Sequence, residues 1–123
     1  MKKLLLVGLT VLGAVSFAGE NQNSERALIA YMRVTPGSEA RFLKEAEDVI
    51  EQSRAESGNL MYQLHQSVTN PSQFVFYELF KTNDDLQYHR NAVHTKAFLA
   101  RTKPITEAFV LEEYAPNGEL LAP

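Results

Sequence analysis

Phe74-Val75-Phe76-Tyr77-Glu78-Leu79-Phe80 is the stretch that decides the fold. Every position but one is apolar or aromatic, and the turn-forming Thr69-Asn70-Pro71-Ser72 precedes it, so the segment reads as a strand over residues 73–81. Successive side chains of a strand point to opposite faces. Phe74, Phe76 and Phe80 therefore share one face with Glu78, while Val75, Tyr77 and Leu79 make the other equally greasy. Both faces must be covered. A layer of helices shields one of them; the other calls for a second sheet, and a second copy of the chain is the economical source.

Working outward, residues 60–68 alternate Leu60, Tyr62 and Leu64 against Met61, Gln63 and His65, which predicts a second strand paired through the turn. Upstream, Phe42, Leu43, Ala46, Val49, Ile50 and Ser53 recur at helical spacing, with Ser38 placed to cap the start and Gly58 to end the helix. The short apolar run within residues 26–34 suits a strand buried on both faces, and Thr35-Pro36-Gly37-Ser38 breaks it. Downstream, Asn83 can cap a helix with Asp84 and Asp85 in its first turn, where carboxylates suit the dipole, and this helix carries Leu86, His89 and Val93 on one face. A short helix over residues 95–102 presents Phe98 and Leu99 before Pro104 stops it. A last strand spans residues 105–114. The predicted class is α+β, in the ferredoxin-like order β-α-β-β-α-(α)-β with an antiparallel sheet.

The N-terminus reads as an export signal. Lys2 and Lys3 precede an apolar run over residues 4–15, too short to span a bilayer, and Ser16-Phe17-Ala18 supplies small residues for cleavage after Ala18. The expected organisation is a signal peptide at residues 1–18, a polar leader at 19–24, one domain at 25–118 and a tail at 119–123. A soluble periplasmic or secreted protein follows, without a membrane span. Losing Lys2 and Lys3 takes the formal net charge from −3 to −5, which disfavours nucleic acid as a partner. There is no cysteine, so stability must come from packing, and a domain this small gains by pairing with its own copy.

Few residues suggest chemistry. Glu78 shares a face with three phenylalanines, where an unpaired charge would cost several kcal/mol; it must find a partner or be protonated, as a structural carboxylate or as a working one. His89 lies on the helix face with Leu86, over an apolar floor, either as a core histidine or as a base for a phenol or hydroquinone. Tyr62, Phe76 and Phe80 could stack on a flat ligand or simply fill a core. His89 and His94 are five apart, about 140° around a single helix, and no acid or thiol completes a set with them, so no metal is expected. No phosphate loop, dinucleotide fingerprint, serine elbow or reactive thiol is present.

Several of these residues together carry a resemblance. Ser57-Gly58-Asn59-Leu60-Met61-Tyr62-Gln63-Leu64, Asn70-Pro71, the strand ending Glu78-Leu79-Phe80, His89 eleven residues after Glu78, and the His94-x-x-x-Phe98 spacing resemble the antibiotic biosynthesis monooxygenase family over roughly residues 25–116. The resemblance implies a dimeric α/β barrel, two ferredoxin-like subunits joined sheet to sheet. It implies monooxygenation of a quinol or other electron-rich aromatic by dioxygen, without flavin, haem or metal. By position, His89 and Glu78 become the catalytic pair, and Tyr62, Phe76, Phe80 and Phe98 line the substrate pocket. Phe80 stands where relatives usually have tryptophan. Haem-degrading relatives pair the histidine with that tryptophan and a first-strand asparagine; Ala30 takes the latter place, which disfavours haem oxygenation but leaves haem binding through His89 open. Two other readings share the pocket: a non-catalytic module that sequesters a hydrophobic small molecule, and an isomerase of a small carbonyl metabolite.

Overall fold

A computed structural model of the protein describes residues 23–117; the expected signal peptide, most of the leader and the tail lie outside the described residues. The elements run β1 (Arg26–Val34), α1 (Glu39–Arg54), β2 (Asn59–Gln66), β3 (Gln73–Phe80), α2 (Asn83–Asn91), α3 (Val93–Thr102), a 3-10 turn (Lys103–Ile105) and β4 (Thr106–Tyr114). This is the predicted order. The four strands form one sheet in the order β2-β3-β1-β4, and every neighbouring pair is antiparallel.

Alternation along the two central strands builds the core. Ala30, Met32 and Val34 of β1 and Phe74 and Phe76 of β3 are buried under the helices, where Phe42, Ala46 and Val49 of α1 and Phe98 of α3 meet them, while Leu28 and Phe80 form a second cluster with Leu86 of α2. Phe42 stands 4.4 Å from Phe74 and 5.7 Å from Phe98, ring centre to ring centre. The opposite face of the sheet is open in a single chain, with Tyr31, Met61, Tyr77 and Val110 each at least 40% exposed. β1 is thus covered on one face only, not on both.

Local details depart from the sequence reading at the helix ends. Ser38 makes no side-chain cap to α1; the Glu39 carboxylate instead accepts from the Gly37 N–H at 2.8 Å. Gly37, at φ 94°, is the turn that needs glycine's left-handed freedom. Gly58 lies four residues beyond the end of α1, and its role is close approach, since a Cβ there would run into the side chain of Asp85. Thr82, rather than Asn83, caps α2, accepting from the Asp85 N–H at 3.1 Å. The largest departure is at Ala92, whose extended backbone (φ −63°, ψ 144°) ends α2 and starts α3. Val93 consequently leaves the Leu86–His89 face and is 84% exposed.

Candidate functional site

The site forms where the end of α2 and the start of α3 cross the helix-covered face of β3. Glu78 is set there by the strand register, opposite Leu28 of β1 on one side and Tyr62 of β2 on the other. His89 reaches the same spot from one helical turn after buried Leu86. Both expected catalytic residues are buried, their side chains 4% and 3% exposed, with Glu78 Oε2 3.4 Å from His89 Nε2. That distance is longer than a good hydrogen bond, and Glu78 Oε2 has no hydrogen-bond partner.

The close partner of His89 is a residue the sequence reading missed. Glu56, in the connection between α1 and β2, accepts from His89 Nδ1–H at 2.8 Å and, through the same Oε1, from His94 Nε2–H at 2.6 Å. The kink at Ala92 makes this convergence possible, because the two histidines sit on separate helices and their rings come within 6.0 Å. The premise that they lie 140° apart on one helix, with no acid to join them, is overturned on both counts. No periodic pattern marks Glu56: it is a single acid in a turn, and only the packing of that turn against α2 and α3 gives it a role. Among the described residues, Glu56, His89 and His94 form the one group whose ligand atoms, all within 4.8 Å of one another, could hold a metal ion.

Burial sets the proton states. It pushes Glu78 up from 4.5 to about 8, with the nearby Glu56 adding to the rise and Arg90 opposing it. It pulls His89 below its ordinary value, against the opposing pull of Glu56, which favours the charged ring. Near neutral pH, then, Glu78 holds a proton and His89 is neutral. With Nδ1–H given to Glu56, the lone pair of His89 is on Nε2, the nitrogen nearest Glu78. Tyr62 is pushed far up by burial and stays a phenol.

The surroundings are mostly apolar. The His89 ring lies 5.3 Å from Tyr62 and 5.0 Å from Phe80, and Thr95 Oγ1 stands 3.4 Å from Nδ1. A hollow of about 80 Å³ opens beside His89 and Glu78, its wall including Tyr62, Phe76, Phe98 and Arg90. Phe80 does not line it; fully buried with Leu28 and Leu86, it backs the imidazole instead. The outer wall is Leu99, Phe109 and Leu111, all partly exposed. As it stands the hollow is smaller than the few hundred Å³ of an ordinary small-molecule pocket, so an aromatic ligand would have to push this outer wall aside.

The antibiotic biosynthesis monooxygenase family model matches residues 26–101, most of the described chain. A Bacillus subtilis (strain 168) protein named "Putative monooxygenase YcnE" is 35% identical over 81 residues, which cover 66% of this chain and 85% of that one. Among solved structures, one described as a "Putative antibiotic biosynthesis monooxygenase" from Nitrosomonas europaea superposes with a TM-score of 0.73 at 26% identity, over 78% of this chain and 93% of the other. Another so described, from Caulobacter crescentus CB15, gives 0.73 at 29% identity, over 77% and 92%.

Proposed function

Because the chain belongs to the antibiotic biosynthesis monooxygenase family, we propose that it is a monooxygenase of electron-rich aromatic hydroxyl compounds, quinols in the first instance, with His89 as the general base. One observation carries the reading: a neutral imidazole whose Nδ1–H is held by Glu56 at 2.8 Å and whose ring borders a mostly apolar hollow. Nε2 takes the proton of the substrate hydroxyl, and the imidazolium so formed is stabilised by the carboxylate already bonded to its other nitrogen. This is the division of labour between histidine and acid in hydrolytic triads. Glu56 is thus a positioning residue, and protonated Glu78 is a donor beside the anion that develops.

Deprotonation raises the substrate's electron density until it can reduce dioxygen. One oxygen atom enters the product and the other leaves as water, with all the electrons drawn from the substrate. The protein supplies the proton acceptor and the dry wall of Phe76 and Phe98, which keeps solvent from the anion. The reading extends to a homodimer, supported by the open apolar sheet face, and to an exported protein, supported by Lys2, Lys3 and the apolar run behind them.

The test is oxygen uptake by the purified, chelator-treated protein with a panel of quinols and anthrones, corrected for their spontaneous oxidation. His89→Ala should reduce the enzyme-dependent rate on the order of 10² to 10⁴-fold while the far-UV spectrum is kept. Uptake that survives the substitution removes His89 from the chemistry. Binding of the panel with no uptake by the unaltered protein would favour a sequestering module.

A further inference from the structure

We propose that Glu56, His89 and His94 form a binding site for one divalent first-row transition ion, with Glu78 as the outer acceptor that fixes His89 in the metal-bound state. The inference goes beyond the monooxygenase reading and does not depend on it. Its basis is convergence. His89 Nδ1 and His94 Nε2 are aimed at the same carboxylate oxygen, at 2.8 and 2.6 Å, with side chains 3% and 11% exposed and Glu56 at 4%. Two imidazoles and a carboxylate are the donor set such ions favour. An ion bonded at about 2.0–2.2 Å to each donor keeps those donors somewhat more than 3 Å apart, so to admit it the carboxylate oxygen withdraws from the two nitrogens it now meets at 2.8 and 2.6 Å. Glu56 Oε2, buried and without a partner, is free to turn toward the ion as it does so.

The second, independent observation lies on the far side of the imidazole. A histidine that binds metal through one nitrogen nearly always donates its other N–H to a carboxylate or carbonyl. Glu78 Oε2 is buried, has no hydrogen-bond partner and stands 3.4 Å from His89 Nε2. When the ion takes His89 Nδ1 and His94 Nε2, the single N–H proton of each neutral ring shifts to its other nitrogen, and on His89 that nitrogen is Nε2, which then donates to the Glu78 oxygen. The metal-free arrangement leaves Glu78 Oε2 unsatisfied; the metal-bound one uses it. His94 also lines an open cleft with Asp84, Tyr88, Asn91 and Val93, separate from the hollow beside Glu78. Because the ion takes Nδ1, its binding moves a proton onto the very nitrogen that serves as base, so the ion-held and base-competent states exclude each other.

The experiment uses the purified protein without a polyhistidine tag, stripped with a chelator and then titrated with Co²⁺ and, separately, Zn²⁺. One Co²⁺ per chain should bind, with visible ligand-field bands characteristic of nitrogen and oxygen donors in a four- or five-coordinate site, and Zn²⁺ should displace it. His94→Ala, at a partly exposed position near the start of α3, should weaken Zn²⁺ binding by about 100-fold or more, and Glu78→Ala by roughly 10 to 100-fold, each with the fold intact by circular dichroism. Absence of a stoichiometric Co²⁺ spectrum from the unaltered protein overturns the site, as does an unchanged Zn²⁺ affinity in His94→Ala. Oxygen uptake does not enter either readout, so failure here leaves the monooxygenase reading standing, and failure of that reading leaves this one.

Discussion

The imidazole of His89 is held between two acids that differ in kind. Glu56 accepts from it directly, whereas Glu78 sits 3.4 Å from the other nitrogen and is pushed by burial to about 8. Folding therefore favours the protonated form of Glu78, while the unfolded chain lets it ionise near 4.5. The stability this contributes is fully present below about pH 4.5, declines as pH rises between there and about 8, and is gone above. Glu78→Gln keeps the shape and removes the titration. In chelator-treated protein the variant should match the parent in denaturant stability near pH 4.5 and exceed it increasingly up to pH 8, with a constant excess beyond. His89, whose lowered value costs stability as pH falls, runs in the opposite sense, but it is common to both proteins apart from any change in its contact with position 78. Parallel pH profiles for the two proteins would contradict the burial of an ionisable Glu78.

At the scale of elements, the site depends on two short connections rather than on any one helix. The first is the break at Ala92, which ends α2 before Val93, puts His94 in the first turn of α3 and leaves its ring 6.0 Å from that of His89. The second is the turn from α1 into β2, where Glu56 sits two residues before Gly58. That turn is pinned to the end of β3 and to α2: Lys81, just after β3, donates its N–H to the Gly58 carbonyl at 2.9 Å, and Asp85 of α2 crowds Gly58 so closely that no Cβ fits. Asp85 is itself tied into the α2 cap by the Thr82 hydroxyl, which donates to its carboxylate at 2.8 Å, and so cannot simply swing away. Gly58→Ala should cost about 1–3 kcal/mol in chemical denaturation, the range for forced overpacking. It should also loosen Glu56 from the histidines, seen as a shift of the His89 and His94 ring resonances. A variant as stable as the parent would show that the turn can relax.

The whole molecule presents one covered and one open sheet face. Tyr31, Met61, Tyr77 and Val110 project from the open side beside Ile29, Val75 and Leu79, and a cleft of about 350 Å³ lies among Tyr31, His65, Val75 and Val110. A face of that composition is far more apolar than water-facing strands require. The expected state in solution is a homodimer closed through these faces, and Tyr31→Glu combined with Tyr77→Glu should halve the mass found by sedimentation equilibrium. A parent protein that sediments as a single chain, or a double variant that still pairs, would place the partner surface elsewhere. Among the described residues no helix is long and apolar enough to cross a membrane.

Element order, strand boundaries to within two residues and the inward aim of Glu78 and His89 were all legible in the amino-acid order. Periodicity is local: a residue two or three places along the chain already tells a side chain which way to face. The doubly apolar residues 74–80 likewise predict the apolar open face that the single chain presents. What only tertiary structure decided is which groups touch. The caps expected at Ser38 and Asn83 gave way to the adjacent Glu39 and Thr82, and the helix expected to continue through Ala92 breaks there. Glu56 lies 33 residues from His89 and 38 from His94, and no pattern along the chain encodes a meeting across that span. It arises because packing brings the α1–β2 turn, which carries the acid, against the α2–α3 junction, whose two helices each present an imidazole to it.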